Sequence, residues 1–426
     1  MTILSGIIYV FTFLSLYVQV FFLLTFFENK RKILVRKAPI ELKEYPDVTI
    51  IVPCYNESKT IGGTIKSLLS LDYPKENLHL IVVDDGSKDN TWEVIQEFTK
   101  YPNVKVFHKE NGGKYTALNF ALERLETPFV GCLDSDSFVD SQALKRIMTY
   151  FEDKETMAVA PSIIVDKPKN IIQGAQKAEY DMAVYNKKML AFLGGIHVTP
   201  GPFSIFRKKV FDELGPYRHA HNTEDQEIAL RMQEHHYKIE HCPDAYVYTV
   251  APNTVKKLYR QRQRWIYGFL RNAMDYKRLL FKKEFGTIAF FTIPSGLVSV
   301  ASVIFLLIML ATNLINFIIK KVVQIKTIGV ENTFSGHTLN FDLFFFDTKT
   351  IIFISVILYT AVVTSLLIGR TIVEGKPRIS FDIFYFMIIY SIVAPFWIMK
   401  AIINAIRSKE ASWTQEIDKR DAGMVK

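Results

Sequence analysis

Three short clusters in this chain have the residue types and spacing of a site that moves a charged group. Asp134-Ser135-Asp136 places two carboxylates one residue apart, directly after the apolar run 129–133. Beyond a buried strand such a pair suits Mg2+ or Mn2+, which takes a few carboxylate oxygens and completes its shell with phosphate and water. A cation there would offset the charge that develops on a diphosphate leaving group. Thr223-Glu224-Asp225-Gln226 supplies a candidate general base, Asp225 ahead of Glu224, to accept the proton of an acceptor hydroxyl. The same four residues also fit a helix capping box of Thr223 with Gln226. A helix N-terminus lowers carboxyl pKa values, so a base at this place has to sit in a dry or acidic pocket. Gln261-Arg262-Gln263-Arg264-Trp265 combines guanidinium groups that can clamp phosphate oxygens with a flat ring suited to a pyranose. An interfacial amphipathic helix with snorkelling cations reads at least as readily from those five residues.

Smaller features surround these. Tyr55, in Pro53-Cys54-Tyr55-Asn56-Glu57, can stack on a nucleobase. Asp84 and Asp85, in Asp84-Asp85-Gly86-Ser87, can accept from a base or ribose, although Asp-Gly is also a strong turn signal. Lys109 and Lys114 bracket Gly112-Gly113 ahead of a helical stretch, a phosphate contact or a pair of solvated lysines. Thr199-Pro200-Gly201-Pro202 reads as a rigid turn able to line a channel mouth.

The elements that must position these residues follow from periodicity. Apolar runs at 48–52, 78–83, 104–107 and 129–133 alternate with helix-spaced stretches at 59–71, 90–100 and 115–124. Continuous apolar strands alternating with helices predict a parallel sheet covered on both faces. Ligands in such sheets bind at the carboxyl ends of the strands, where the candidate residues fall. A helix is expected from Thr223 to about Glu234, and a second, rich in cations and aromatics, over 254–280.

Both ends of the chain are apolar. Residues 2–27 carry no charge, enough to cross a bilayer at about 20 residues per span, and no basic start or Ala-x-Ala pattern marks a cleaved signal. Lys30, Arg31, Lys32, Arg36 and Lys37 follow and mark the cytosolic side, which puts the middle of the chain in the cytosol. Residues 285–319 are uncharged, with Pro294 and Gly296 placed to break them into an interfacial piece and a span; 351–369 and 383–399 are further spans. Arg370, Lys376 and Arg378 make the connection between those two cytosolic, whereas Arg407, Lys409, Lys419, Arg420 and Lys426 pull the tail to the same side against the parity of four crossings. Either 285–319 crosses twice or one C-terminal segment does not cross. The net charge of +9 fits a body lying against an anionic leaflet, or simple solubility. Cys54, Cys132 and Cys242, without C-x-x-C, argue against a disulfide scaffold or zinc site and for a reducing compartment.

Taken together, in order and spacing from about 48 to 271, the motifs resemble the membrane-integrated processive members of glycosyltransferase family 2: cellulose, chitin, hyaluronan and poly-N-acetylglucosamine synthases. The layout is most similar to poly-β-1,6-N-acetylglucosamine synthases and short hyaluronan or chitin synthases. The resemblance implies an α/β GT-A fold, Rossmann-like with a mostly parallel sheet, in the cytosol, plus an α-helical transmembrane region. The expected layout is a membrane helix at 1–28, the GT-A domain at 45–250, interface helices at 251–284, transmembrane helices at 285–405 and a tail at 406–426. It implies a UDP-sugar donor, UDP-GlcNAc as the first choice, and inverting transfer to a growing glycan with coupled translocation. Pro53, Tyr55, Glu57, Asp84, Asp85, Lys114 and Asp134 would hold the donor. Asp136 with Asp134 would hold Mg2+ or Mn2+, Asp225 would be the base, and Gln261, Arg262, Arg264 and Trp265 would take diphosphate and acceptor. The expected partners are the donor, a glycan or lipid acceptor, membrane lipids and a small accessory membrane subunit rather than nucleic acid, at the plasma membrane. Single addition to a lipid, as by ceramide or diacylglycerol glucosyltransferases, is the alternative. Thr199-Pro200-Gly201-Pro202 departs from the T-G-P or S-G-P of many such synthases, and residues 320–350 match nothing in the pattern.

Overall fold

The computed structural model describes residues 3–34, 40–334 and 348–408 of the 426. Eight strands form one sheet: β1 (Val48–Cys54), β2 (Leu78–Asp84), β3 (Val104–His108), β4 (Phe129–Cys132), β5 (Ser137–Val139), β6 (Thr156–Val165), β7 (Ile205–Arg207) and β8 (Lys238–Thr249), in the order β3-β2-β1-β4-β7-β6-β8-β5. The helices are α1 (Ile3–Leu34), α2 (Ile61–Leu69), α3 (Thr91–Gln96), α4 (Lys114–Leu122), α5 (Ala143–Met148), α6 (Ile171–Phe192), α7 (Lys209–Leu214), α8 (Glu224–Glu234), α9 (Val255–Asp275), α10 (Ile293–Phe334), α11 (Thr348–Glu374) and α12 (Phe381–Ile406).

The half made of β3, β2, β1 and β4 is parallel, as the alternating pattern predicts. Every residue of β1 is buried. Its side chains alternate faces: Ile50 and Val52 pack with Ile65 and Leu68 of α2, while Ile51 packs with Ala117 and Leu118 of α4. In the other half β6 runs parallel to β8, whereas β7 is antiparallel to β4 and β6, and β5 to β8, so the sheet is mixed but mostly parallel, as expected. The amide of Phe203 donates to the Cys132 carbonyl at the end of β4 (2.6 Å), so β7 begins where β4 stops and pairs with it running backwards. This return brings the loop holding Thr199–Pro202 over the carboxyl ends of the strands, where the candidate site lies.

Among the described residues, four helical segments are long and apolar enough to cross a membrane: Gly6–Ile33, Ile288–Thr327, Ser355–Glu374 and Phe381–Ile406. The expected break at Pro294 and Gly296 does not occur. A π-helical turn over Ile288–Thr292 leads straight into α10, and its wider bonding accommodates the missing N–H of Pro294. The 42 residues of α10 are non-helical only at Gly329, so within the described residues this segment does not cross twice. At 1.5 Å per residue it is about 60 Å long, about twice the hydrocarbon core. Arg36, Lys37, residues 335–347 and the tail cations Lys409, Lys419, Arg420 and Lys426 lie outside the described residues.

Arg370 is not the loop cation that its position suggests. It is fully buried, donating to Asp181 of α6 (3.0 Å), to Asp382 (2.7 Å) and Ser380 (2.8 Å) at the start of α12, and to the Arg378 carbonyl (2.6 Å). One guanidinium thus joins α6, α11 and α12, leaving Lys376 and Arg378 exposed in the connection. Removing one partner of a buried ion pair is expected to cost about 3–5 kcal/mol, because the remaining charges stay desolvated. Arg370→Ala should therefore lower the thermal unfolding midpoint in detergent well below that of Lys376→Ala; equal midpoints would show that the network contributes nothing.

Candidate active site

The loops leaving β1 and β2 are laced together. Asn56 adopts a left-handed conformation (φ 56°), its amide donating to Ser87 Oγ (2.9 Å) and its side-chain oxygen accepting from the Lys88 amide (2.8 Å). The Glu57 amide donates to Thr91 Oγ1 (2.8 Å). Asp84 is fully buried, takes the Ser87 hydroxyl and amide, and lies 2.7 Å from His108 Nδ1. Asp85 accepts from Lys109 Nζ (2.7 Å) and from the amides of Gly112 (3.1 Å) and Gly113 (2.8 Å). Both acids are satisfied within the protein. The glycine amides that the sequence suggests for a phosphate are engaged by Asp85 instead. Pro53 lies within the buried β1, and Tyr55 stands half-buried just beyond it.

The Gly113 turn (φ 91°) delivers Lys114 into the first turn of α4. Its ammonium lies 2.7 Å from Asp134 Oδ1 and 3.1 Å from Glu224 Oε1, joining two acids that are 90 residues apart in the chain. Gly201 caps this triplet. A Cβ at that position would lie 2.8 Å from Lys114 Nζ and 3.3 Å from both Asp134 oxygens, so any side chain would displace the ion pair. The Gly201 loop is strapped down on both flanks. Cys132 Sγ donates to the Gly201 carbonyl (2.7 Å), and the amide and hydroxyl of Thr199 donate to the Asp225 carbonyl (3.1 and 3.0 Å). A small cavity remains between Lys114, Pro200, Tyr217, Glu224 and Asp225.

The acids there are differentiated by their surroundings. Burial disfavours ionised Glu224, but Lys114, a backbone amide and Arg264 together hold its pKa below the usual value. Burial and the neighbouring Glu224 push Asp225 up to about 6, against the pull of Lys114 and Arg264. Burial, then Asp134 and Glu57, push Asp136 up to about 7. Burial, with Asp89 and Asp134, likewise raises Glu57. Among the described residues no group of three or more His, Cys, Asp or Glu side chains is arranged to hold a metal ion by itself. The donor set nevertheless fits a hard divalent cation. Asp134 and Asp136 offer oxygens only, their mutual repulsion is what a cation relieves, and a diphosphate would complete the shell.

Glu224 and Asp225 are fixed by how α8 meets α9. Ala220, His221 and Asn222 are all left-handed (φ 43°, 56° and 61°), and the Asn222 carbonyl accepts from Arg264 Nη1 (2.8 Å). A Cβ on Gly268 would lie 2.3 Å from Thr223 Oγ1, so the two helices meet where α9 has no side chain. Asn272, one turn on, donates to Thr223 Oγ1 (3.0 Å) and Gln226 Oε1 (3.3 Å). The capping box does not form, because Thr223 Oγ1 donates to the Ala220 carbonyl (2.9 Å), while Asp225 Oδ1 takes the Gln226 amide (2.9 Å). Gly268 and Asn272 lie four and eight residues after Arg264, on the helix face that an i, i+4 reading would have shown.

The structure thus gathers Lys114, Asp134, Glu224 and Asp225 at one place, with Asp136, Glu57 and Arg264 close enough to act on them electrically. Arg262 is not among them. Its guanidinium bonds Glu179, Gln261 and Tyr390 and lies 4.1 Å from the Trp265 ring centre, while Trp265 itself is 37% exposed. Nothing in the sequence pointed to Glu179, which sits on a different helix.

Residues 49–215 match the glycosyl transferase family 2 model. The chain is 31% identical over 231 residues to a poly-beta-1,6-N-acetyl-D-glucosamine synthase of Staphylococcus epidermidis, covering 54% of this chain and 56% of that protein. It is 30% identical over 260 residues to the synthase of the same name from Staphylococcus aureus strain COL, covering 60% and 63%. The similarity thus spans somewhat over half the length of these relatives. Among solved structures it shares its fold with a mannosyltransferase from Pyrobaculum calidifontis in complex with GDP-mannose and Mn2+, with a TM-score of 0.54 and 16% identity over 94% of this chain and 100% of that one.

A carboxyl raised to about 6 binds its proton more tightly in the folded than in the unfolded chain, where it titrates near 3.9. Ionised Asp225 therefore costs stability fully above pH ~6 and not at all below ~4. Asp225→Asn should raise the unfolding free energy at pH 7.5 by about 3 kcal/mol at most, with the gain fading as pH falls to 4. A pH-independent change would contradict this.

Proposed function

We propose that this protein, whose residues 49–215 match the glycosyl transferase family 2 model, is a membrane-embedded enzyme that transfers N-acetylglucosamine from UDP-GlcNAc to the end of a growing polysaccharide. The observation that carries the reading is the Lys114 bridge between Asp134 and Glu224, with Asp225 alongside: a cation, a divalent-metal pair and a base around one small space. The similarity to poly-N-acetylglucosamine synthases supports the choice of sugar and of a polymeric product.

In this reading Asp225 accepts the proton of the acceptor hydroxyl as that oxygen attacks the anomeric carbon from the face opposite the leaving UDP, which inverts the centre. A base with pKa about 6 is ionised at neutral pH yet basic enough to help, an effect worth roughly 10²–10⁴ in rate. Lys114 and Arg264 face the diphosphate; Asp134 and Asp136 would hold Mg2+ or Mn2+, which offsets charge on the departing diphosphate. A cation held by Asp134 and Asp136 would take over the neutralisation of Asp134 and leave Lys114 to pair with a phosphate oxygen. Tyr55, Pro53 and Glu57 take the nucleoside side, and Asp84 and Asp85 shape its loops. Trp265 carries the terminal acceptor sugar. The domain of 45–250 lies on the cytosolic face of the plasma membrane, the cation-rich helix of 251–284 in the interface, and the four apolar helices span the bilayer and pass the product outward.

Full-length protein in detergent, given UDP-GlcNAc and Mn2+ or Mg2+, should release UDP and form a polymer; Asp136→Ala should abolish the release, and chelation should do the same to the native protein. With saturating Mn2+ to hold Asp136 ionised, the logarithm of kcat/KM should fall about one unit per pH unit below pH ~6 and level off above it. A product extended by one sugar on a lipid would instead assign a single-addition glycolipid transferase. UDP release undiminished by Asp136→Ala would overturn the site.

A further inference from the structure

Q-x-x-R-W here contains two arginines that point opposite ways. Residues 262 and 264 are two positions apart, about 200° around a helix. Arg264 turns to the acidic cavity through the Asn222 carbonyl. Arg262 turns to the other side and is buried. Its Nη2 bonds Glu179 of α6, the Tyr390 hydroxyl of α12 bonds the same Glu179 oxygen, and Nη2 and that hydroxyl are 3.3 Å apart. Nη1 donates to Gln261 (2.6 Å). The guanidinium therefore has no rotational freedom, and it underlies the Trp265 ring at 4.1 Å, within cation–π range. Tyr390 is fixed in turn by an edge contact with Trp397 (5.5 Å), itself buried.

We propose that Glu179, Arg262 and Tyr390 form a positioning triad that sets the plane of Trp265 for the acceptor sugar and ties that plane to the transmembrane helix α12. Three helices with different surroundings meet in it. α6 packs along α11 and α12, α9 carries the acceptor-side motif, and α12 belongs to the membrane bundle. None of the three residues touches the reacting atoms. They act by holding a flat cation beneath a flat ring, so a shift of α12 along its axis would tilt the acceptor platform. The inference rests on the reading that Trp265 carries the acceptor.

The test uses full-length protein in detergent, with two readouts: UDP release from UDP-GlcNAc without acceptor, and transfer to a β-linked N-acetylglucosamine oligosaccharide. Glu179→Gln and the milder Tyr390→Phe should each raise the acceptor KM about tenfold, within the reach of a sub-ångström misplacement, while acceptor-free UDP release and donor KM stay within about twofold. Arg262→Lys, which keeps the charge but not the flat fork, should behave as Glu179→Gln does. Equal losses in both readouts, or none, would overturn the triad's positioning role. A readout independent of activity keeps this separate from the proposed reaction. With the Trp265 contribution taken as the difference between spectra with and without Trp265→Phe, Glu179→Gln should red-shift Trp265 emission and increase its quenching by acrylamide. Unchanged emission would overturn the triad even if the enzyme uses another donor; a native protein inert to every UDP-sugar, but with the emission shift, would sink the proposed reaction and leave the triad standing.

Discussion

Carboxylates cannot crowd into a buried space without a cation among them, and Lys114 is that cation. Asp134, Asp136, Glu224, Asp225 and Glu57 act on one another electrically, and among the described residues only Lys114 lies within ion-pairing distance of two of them. It bridges the loop after β4 to the start of α8. Without it, the two acids would have to take up protons or separate. The Gly113 turn, the bare Cα of Gly201 and the strapping of Thr199 to Asp225 all serve to keep that ammonium where it is. The arrangement is also unfinished, since five acids outnumber the cations that face them. Burial, and after it that imbalance, raises the pKa values of Asp136 and Asp225, and a divalent cation with a diphosphate is the chemistry that would settle the charge.

A second constraint is the distance between α8 and α9. Electrostatics can tune Asp225 only if Arg264 reaches it, and that depends on the absence of a side chain at Gly268. The same helix then carries Arg262 and Trp265 toward α6 and α12, so the acidic cavity, the aromatic platform and the membrane bundle share one rigid rod. Arg370 repeats the device further along α6, with one buried guanidinium joining three helices.

Much of this was legible in the sequence, for physical reasons. The largely apolar runs of β1, β2 and β4 read as central strands, and acids placed immediately after them fall at the carboxyl-end edge of the sheet. The three acidic and cationic motifs were found by residue type and spacing. What the sequence hid was long-range pairing. β7 and β5 are each three residues long, too short to carry a pattern, and their backward pairing is what makes the sheet mixed. Arg370 read as a cytosolic loop charge because its partners Asp181 and Asp382 are brought to it only by packing. Lys114 read as a phosphate contact because its two carboxylate partners lie 20 and 110 residues away. Pro294 read as a break because the π turn ahead of it has no local signature.

The central claim is that Lys114 and Arg264 flank the place of a diphosphate whose cation rests on Asp136. An experimental structure of the protein with UDP and Mn2+ tests it most directly. The account predicts Mn2+ density on Asp136, and Lys114 Nζ moved from Asp134 to a phosphate oxygen, with Asp225 facing the vacant sugar position. UDP bound elsewhere, with the Lys114 bridge to Asp134 and Glu224 intact, would contradict it.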